Sequence, residues 1–209
     1  MVSDWIKKEK ITVENLSILD VGGADGERIK SIFGEKNFKE IVVLDNCKDM
    51  FLGNKQNENV KFVEGDICTF DAFGDRFNIA TCLWNVFGHI DTHKMRAQAV
   101  DNIYRMLKPS GLLFIDFNNR ENVKNYRLRA IKNILLSFLH IRNSGDFRFL
   151  KTIGEEEIPF KTHLFTKNEV LRIFRNSGFS LQNMMYLNYK SGNVENNHFS
   201  GSIFCVLKK

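Results

Sequence analysis

Apolar residues recur along this chain in two alternating rhythms. "LSILDV", "KEIVVLDN", "VKFVEGDI", "RFNIATCLWNV" and "LLFIDFNN" are short, unbroken apolar runs, the pattern of strands covered on both faces. Helical spacings separate some of them. In "GERIKSIFGE", Ile29, Ile32 and Phe33 share a side and Gly34 is placed to end a helix. In "DTHKMRAQAVDNIYRMLKPSG", Asp91 or Thr92 caps a helix whose apolar face is Ala99, Ile103, Met106 and Leu107. Pro109 and Gly111 then stop it. "DWIKKEK" reads as a short helix ahead of the first strand. After Asn119 the rhythm changes, to a long basic helix over 120–142 and an irregular or two-stranded stretch over 146–165. It resumes at "TKNEVLRIFRNSGF", with Thr166 as cap and Gly178 as stop. "SLQNMMYLNY" and "GSIFCVLKK" close the chain as two strands that can pair as a hairpin. This alternation predicts an α/β fold, a mainly parallel sheet with helices on both sides. One domain over 1–209 follows, with a lid or insertion at about 120–165.

The turn after the first strand is the most informative stretch. "SILDVGGADG" ends a buried strand in Asp20 and brings Gly22, Gly23 and Gly26 within five positions. At the carboxyl end of a parallel strand, such a turn lets a ligand touch backbone and lets the next helix start close by. A dinucleotide turn needs G-x-G-x-x-G; counted from Gly22, that frame meets Ala24 and Glu27, so it fails. It also leaves a carboxylate beside a pyrophosphate. Asp20 can instead accept from an ammonium group, directly or through water, while backbone amides meet a carboxylate. Asp45 ends the second strand where an acid can accept from both ribose hydroxyls. Asp66 ends the third, beside Ile67, where it can accept from an adenine amino group. The plainer reading is that each aspartate caps its own turn.

On "ILDVGGADG", "VVLDN", "VEGDI", "NIATCLWNVFGHI" and "MLKPSGLLFIDF" the chain resembles the class I S-adenosylmethionine-dependent methyltransferases; "HLFTKNEVLRIFRNSGF" and the final strand pair match the C-terminal part of that family. The resemblance implies a three-layer αβα doubly wound fold, with a seven-stranded sheet whose last strand is antiparallel. It implies S-adenosylmethionine as cofactor. The methionine end would be held by Asp20, Gly22, Gly23, Ala24 and Gly26, the ribose by Asp45 with Asn46, and the adenine by Asp66 and Ile67. Leu83 and Trp84 would wall the site. Ala24 departs from the family, which has glycine there; close backbone approach survives if its φ stays negative.

Methyl transfer from a sulfonium needs alignment and exclusion of water, and for some acceptors a base. The segment "LWNVFGHI" faces the methyl group in this reading. Trp84 and Phe87 can wall the site through ring faces, with core packing as the plainer role. Asn85 can bond the acceptor. His89 is the histidine positioned to act as a base, or else closes a turn. "HIDTH" (His89, Asp91, His93) straddles a turn and a helix start, so no metal is expected. No Asp/Asn-Pro-Pro-aromatic motif follows the fourth strand, and Cys82 lies within a strand without a preceding proline. These absences turn the reading away from nucleobase amino groups and cytosine C5, and toward small molecules, lipids or tRNA-borne groups.

Charge sharpens the question of the acceptor. The net charge is +5, yet residues 120–151 hold eight Lys/Arg and two acids, so the rest of the chain is slightly acidic. On the helix there, Ile131, Ile134, Leu135, Phe138 and Leu139 follow i, i+3, i+4, i+7, i+8, predicting a lid helix packed on the sheet edge with a solvated basic face. The same residues suit a grip on RNA phosphates or an interfacial helix at a membrane. Three functions follow: methyl transfer to a small-molecule or lipid-like acceptor, methyl transfer to tRNA, or a non-catalytic partner subunit. Four cysteines without CxxC spacing, no apolar leader and no run of about 18 apolar residues point to a reducing cytoplasm and no transmembrane segment. Oligomeric state is left open.

Overall fold

In a computed structural model, residues 2, 5–6, 15–33, 38–51, 60–70, 72–139, 145–153 and 156–209 are described. Gly34 and most of the helix expected over 4–10 lie outside them. The first apolar runs form β1 (Ser17–Val21), β2 (Glu40–Asp45), β3 (Val60–Glu64), β4 (Phe77–Cys82) and β5 (Leu107–Phe117). Helix α1 (Glu27–Phe33) follows β1, and α2 (His93–Met106) joins β4 to β5. Then come α3 (Val123–Phe138), β6 (Asp146–Ile153), β7 (Glu156–His163), α4 (Lys167–Phe174), β8 (Ser180–Leu187), β9 (Val194–Glu195) and β10 (Ser202–Lys208).

The main sheet has the order β3-β2-β1-β4-β5-β10-β8-β9. Strands β1 to β5 are parallel, and β10 runs antiparallel to both β5 and β8. The sheet therefore has eight strands where seven are expected. The extra one is the two-residue β9, which folds back on β8 at Tyr186 and Leu187. The last two expected strands do pair antiparallel, with β10 inserted between β5 and β8.

Alternation within each strand builds the two cores. Leu19, Val21, Val42 and Leu44 pack with Ala99, Val100 and Ile103 of α2 and with Val170 and Phe174 of α4. Ile18, Ile41 and Val43 face the other way, onto Ile29 and Phe33 of α1 and onto Val2 and Ile6. Every residue of β1 is buried, as its unbroken apolar run requires. Thr92 is the cap of α2, its hydroxyl accepting from Met95 N at 3.1 Å; Asp91 instead pairs with Lys161 at 3.3 Å.

The segment over 120–165 lies outside the main sheet. β6 and β7 form a separate two-stranded antiparallel sheet. α3 breaks at Arg127 (φ 44°, ψ −123°) and buries Ala130 and Asn133. Ile131, Leu135 and Leu139, expected to pack inward, are exposed instead. The reason is geometric: an apolar spacing marks a stripe on a helix, but not which side of the helix the protein covers.

One buried node ties this segment to α4. Arg120 donates from Nε to Leu164 O (3.1 Å) and from Nη2 to both oxygens of Glu169 (2.7 and 2.6 Å). Glu169 also completes a capping box with Thr166 at the start of α4. The "HLFT" stretch thus has structural employment: His163 meets Asp146 at 2.8 Å and Phe165 is buried in the core. Removing one partner of a buried ion pair strands the other. Arg120→Ala should therefore lower the unfolding free energy by about 3 kcal/mol, whereas Glu169→Gln, which keeps a bonding oxygen, should cost less. Urea unfolding of both variants reads the difference; a loss under ~1 kcal/mol for Arg120→Ala would remove the node from this role.

Candidate active site

Strand order reverses between β1 and β4, and a cleft of about 460 Å³ opens at that point beyond the carboxyl ends of the strands. Val21 and Gly22 line it from the glycine turn, with Leu44, Asp45, Asn46, Cys47 and Met50 after β2. Gly65, Asp66 and Ile67 line it after β3, and Leu83, Trp84, Val86, His89 and Ile90 after β4. Arg28 of α1 and Phe160 of β7 complete the wall.

The aspartates at the tips of β2 and β3 do two things at once. Asp45 Oδ1 accepts from Cys47 N (3.0 Å) and Oδ2 accepts from Ala24 N (2.9 Å). Asp66 Oδ1 accepts from Cys68 N (2.9 Å). Each bends its own turn, as the plainer reading has it. Each also lines the cleft, and a carboxylate has about four acceptor positions. Capacity toward a ligand remains at both.

Asp20 behaves differently. It is fully buried and does not line the cleft. Its Oδ1 accepts from Arg28 Nη2 at 2.8 Å and from Thr81 Oγ1 at 2.6 Å. Burial pushes its pKa up, while Arg28 and Thr81 pull it back. The position expected to meet an ammonium group is thus occupied by a guanidinium. Arg28 also donates from Nη1 to Leu83 O (2.7 Å) and from Nη2 to Gly22 O (3.1 Å), and its Cζ lies 5.6 Å from the centre of the Trp84 ring. Its Nε is buried without a hydrogen-bond partner among the described residues. No sequence motif marked Arg28; its place one turn after the glycines is the one available signal.

Two glycines of the turn are fixed by what surrounds them. A Cβ at Gly22 (φ +64°) would sit 2.5 Å from Val86 Cγ2, and one at Gly23 would sit 2.6 Å from Asp20 Oδ2. Ala24 does not keep a negative φ, as close approach was expected to require; its φ is +48°. Its amide donates a hydrogen bond to Asp45 Oδ2, which holds it in the left-handed region.

The wall after β4 is a left-handed corner. Trp84 (φ 67°) and Asn85 (φ 58°) are consecutive, and Asp116 on β5 accepts from both their amides, at 3.0 and 2.6 Å. The corner leaves Trp84 68% exposed at the rim. It turns Asn85 inward, where Nδ2 donates to Thr162 Oγ1 (2.9 Å) and Oδ1 accepts from Asn118 N (2.8 Å). Asn85 therefore clamps β4, β5 and β7 together and does not line the cleft. His89 does, as an exposed residue between buried Gly88 and Ile90. Phe87 is wholly buried core, and His93 packs edge-on to His163 at 6.1 Å, so the "HIDTH" residues do not converge. Of the predicted site residues, Gly22, Asp45, Asn46, Asp66, Ile67, Leu83, Trp84 and His89 line the cleft; Asp20, Gly23, Ala24, Gly26 and Asn85 do not.

Residues 18–111 match the family model for a methyltransferase domain. Among solved structures, a methyltransferase from Methanosarcina mazei superposes with a TM-score of 0.70 at 16% identity, over 97% of this chain and 96% of that one. An amino pentose methyltransferase from Micromonospora echinaspora, solved with S-adenosylmethionine, gives 0.64 at 18%, over 99% and 88%. A 1,6-didemethyltoxoflavin-N1-methyltransferase from Burkholderia thailandensis gives 0.60 at 15%, over 99% and 75%. No curated protein sequence matches. The strand order is that of the class I S-adenosylmethionine-dependent methyltransferase fold, and the methyltransferase-domain match lies on the part of the chain that carries β1 to β4 and most of the cleft.

Alanine in the left-handed region costs roughly 1–2 kcal/mol, partly offset by glycine's greater freedom when unfolded. Ala24→Gly should raise stability by roughly 0.5–1 kcal/mol, read by thermal unfolding; destabilisation would mean the left-handed turn is unstrained. Asp116 gives a pH signature. Burial raises its pKa to about 6, with the Trp84 and Asn85 amides opposing. A raised acid favours folding while protonated, so this contribution is present below about pH 4 and is lost as pH rises through about 6. Asp116→Asn should flatten that part of the stability profile, up to ~3 kcal/mol between pH 4 and 7. An unaltered slope in urea titrations would place the titration elsewhere.

Proposed function

We propose that this chain is an S-adenosylmethionine-dependent methyltransferase acting on a small-molecule or lipid-like acceptor, with the cleft at the β1/β4 switch point as its active site. The observation carrying the reading is the pairing of two ligand-facing carboxylates, Asp45 and Asp66, with apolar walls from Leu44, Ile67, Leu83, Val86 and Ile90. That donor set suits a nucleoside: Asp45 with Asn46 for ribose hydroxyls, Asp66 for an adenine amino group, Ile67 against the ring. Arg28 suits the methionine carboxylate, because its buried Nε has no partner among the described residues and its charge is already oriented by Asp20. The bare turn at Gly22 and Gly23 admits close approach.

S-adenosylmethionine supplies a methyl group on a sulfonium, a leaving group that needs little activation. The chain's own work is to orient and to dry the site. Trp84 and Phe160 line the cleft and serve to exclude water once it is filled; Trp84 also offers a ring face to a cation. Asn85 and Asp116 position Trp84. His89, at the rim, takes a proton on an imidazole nitrogen where the acceptor must lose one. The segment over 120–165 serves as lid through Phe160 and Thr162. A tRNA acceptor draws on the same basic segment, but the leucine-rich exposed side of α3 favours an apolar partner.

A ligand at about a hundred times its Kd adds ~2.7 kcal/mol of stability, and for a chain of this size about 2–4 °C of melting temperature per kcal/mol. Saturating S-adenosylhomocysteine should thus raise melting by several degrees, and Asp45→Ala should abolish most of the shift. If native protein melts identically with and without the ligand, the assignment of this cleft fails.

A further inference from the structure

Helix α3 buries its narrow side and shows its wide one. Leu128, Ile131 and Leu135 are 81, 44 and 57% exposed. Leu139, whose amide continues the helix by donating to Leu135 O at 3.0 Å, is 63% exposed. Spacings of three, four and four place all four on one stripe. The helix also carries Lys124, Arg127, Arg129 and Lys132 and no carboxylate. Lys124 pairs with Glu195 at 2.7 Å, and Arg129 lies 4.3 Å above the Phe147 ring; Arg127 and Lys132 are exposed. Beside the helix, β6 adds exposed Arg148 and Phe149.

We propose that this face docks on an anionic bilayer surface, the leucine stripe entering the acyl boundary and the cations meeting lipid phosphates. Charge and polarity together select the occupant. RNA would use the cations and leave the leucines in water. A second copy of the chain, set face to face, would oppose cation to cation. A bilayer with anionic headgroups answers both features of the helix. The docked face also leads to the active site: Phe147 stacks on Phe149 at 5.6 Å, Phe149 on Phe160 at 5.8 Å, and Phe160 lines the cleft. That phenyl row is an apolar path from membrane to cleft. Its use by an acceptor rests on the proposed function, whereas the docking does not.

Flotation of the purified protein with vesicles tests the docking. Vesicles of phosphatidylcholine with one-third phosphatidylglycerol should carry the protein at low salt, and binding should fall steeply as salt rises. Pure phosphatidylcholine vesicles should bind at least tenfold more weakly. The double variant Leu128→Gln, Leu135→Gln should lose at least tenfold in partitioning while melting at the native temperature, since both side chains are exposed. Absence of flotation on anionic vesicles at low salt overturns the proposal, and so does equal binding by the double variant. Tighter binding of bulk tRNA than of vesicles in the same buffer overturns it in favour of RNA. Sedimentation as a dimer that the double variant abolishes overturns it in favour of an interface between copies.

Discussion

The site is organised by one guanidinium. Arg28 bonds the carboxylate at the tip of β1, the Leu83 carbonyl just past β4 and the Gly22 carbonyl in the turn between. These are the two strands across which the sheet changes direction. A parallel sheet leaves the carboxyl ends of neighbouring strands to diverge into separate crossovers, so something must fix their spacing if a cleft is to have a defined width. A buried, charged fork with several fixed donor directions does this well. It is also why Asp20 can sit wholly inside the protein: its charge is met by Arg28 and by the Thr81 hydroxyl.

The same economy appears at the other strand tips. Asp45, Asp66 and Asp116 each accept backbone amides and so shape the loop that follows or faces them. The structural and ligand-binding readings of these acids are therefore not rivals. A carboxylate that holds a turn is itself held, and an oriented acceptor binds better than a mobile one. Asp116 is the extreme case, since it steers Trp84 and Asn85 through two consecutive left-handed residues without lining the cleft.

Much of this was legible beforehand. Four apolar runs became the mostly buried strands β1, β2, β4 and β5, because burial on both faces leaves little room for polar residues; the fifth, β3, is the half-exposed edge strand. Thr92 and Thr166 declared helix starts through their hydroxyls. Asp45 and Asp66 could be placed because strand ends were already located. What escaped has physical reasons. Arg28 looked like one more surface cation, since its burial depends on carbonyls from β4, 55 residues away. Asn85 was read as facing the acceptor because the left-handed corner that turns it inward is set by an acid on another strand. The outward stripe of α3 has the same periodicity as an inward one. For Arg28 and Asn85 the deciding partner is distant in sequence.

Thiol chemistry supplies a last consequence. Burial pushes Cys68 and Cys205 up to about 12, and Cys82 well above the ordinary range. At neutral pH these sulfurs stay protonated and inert. Cys47 alone is exposed among the four, and it stands in the wall of the cleft with its amide on Asp45. A maleimide dye or an oxidant is thus directed to a single address in the wall of the cleft, so the resting molecule comes with its own attachment point for a fluorescent reporter of occupancy.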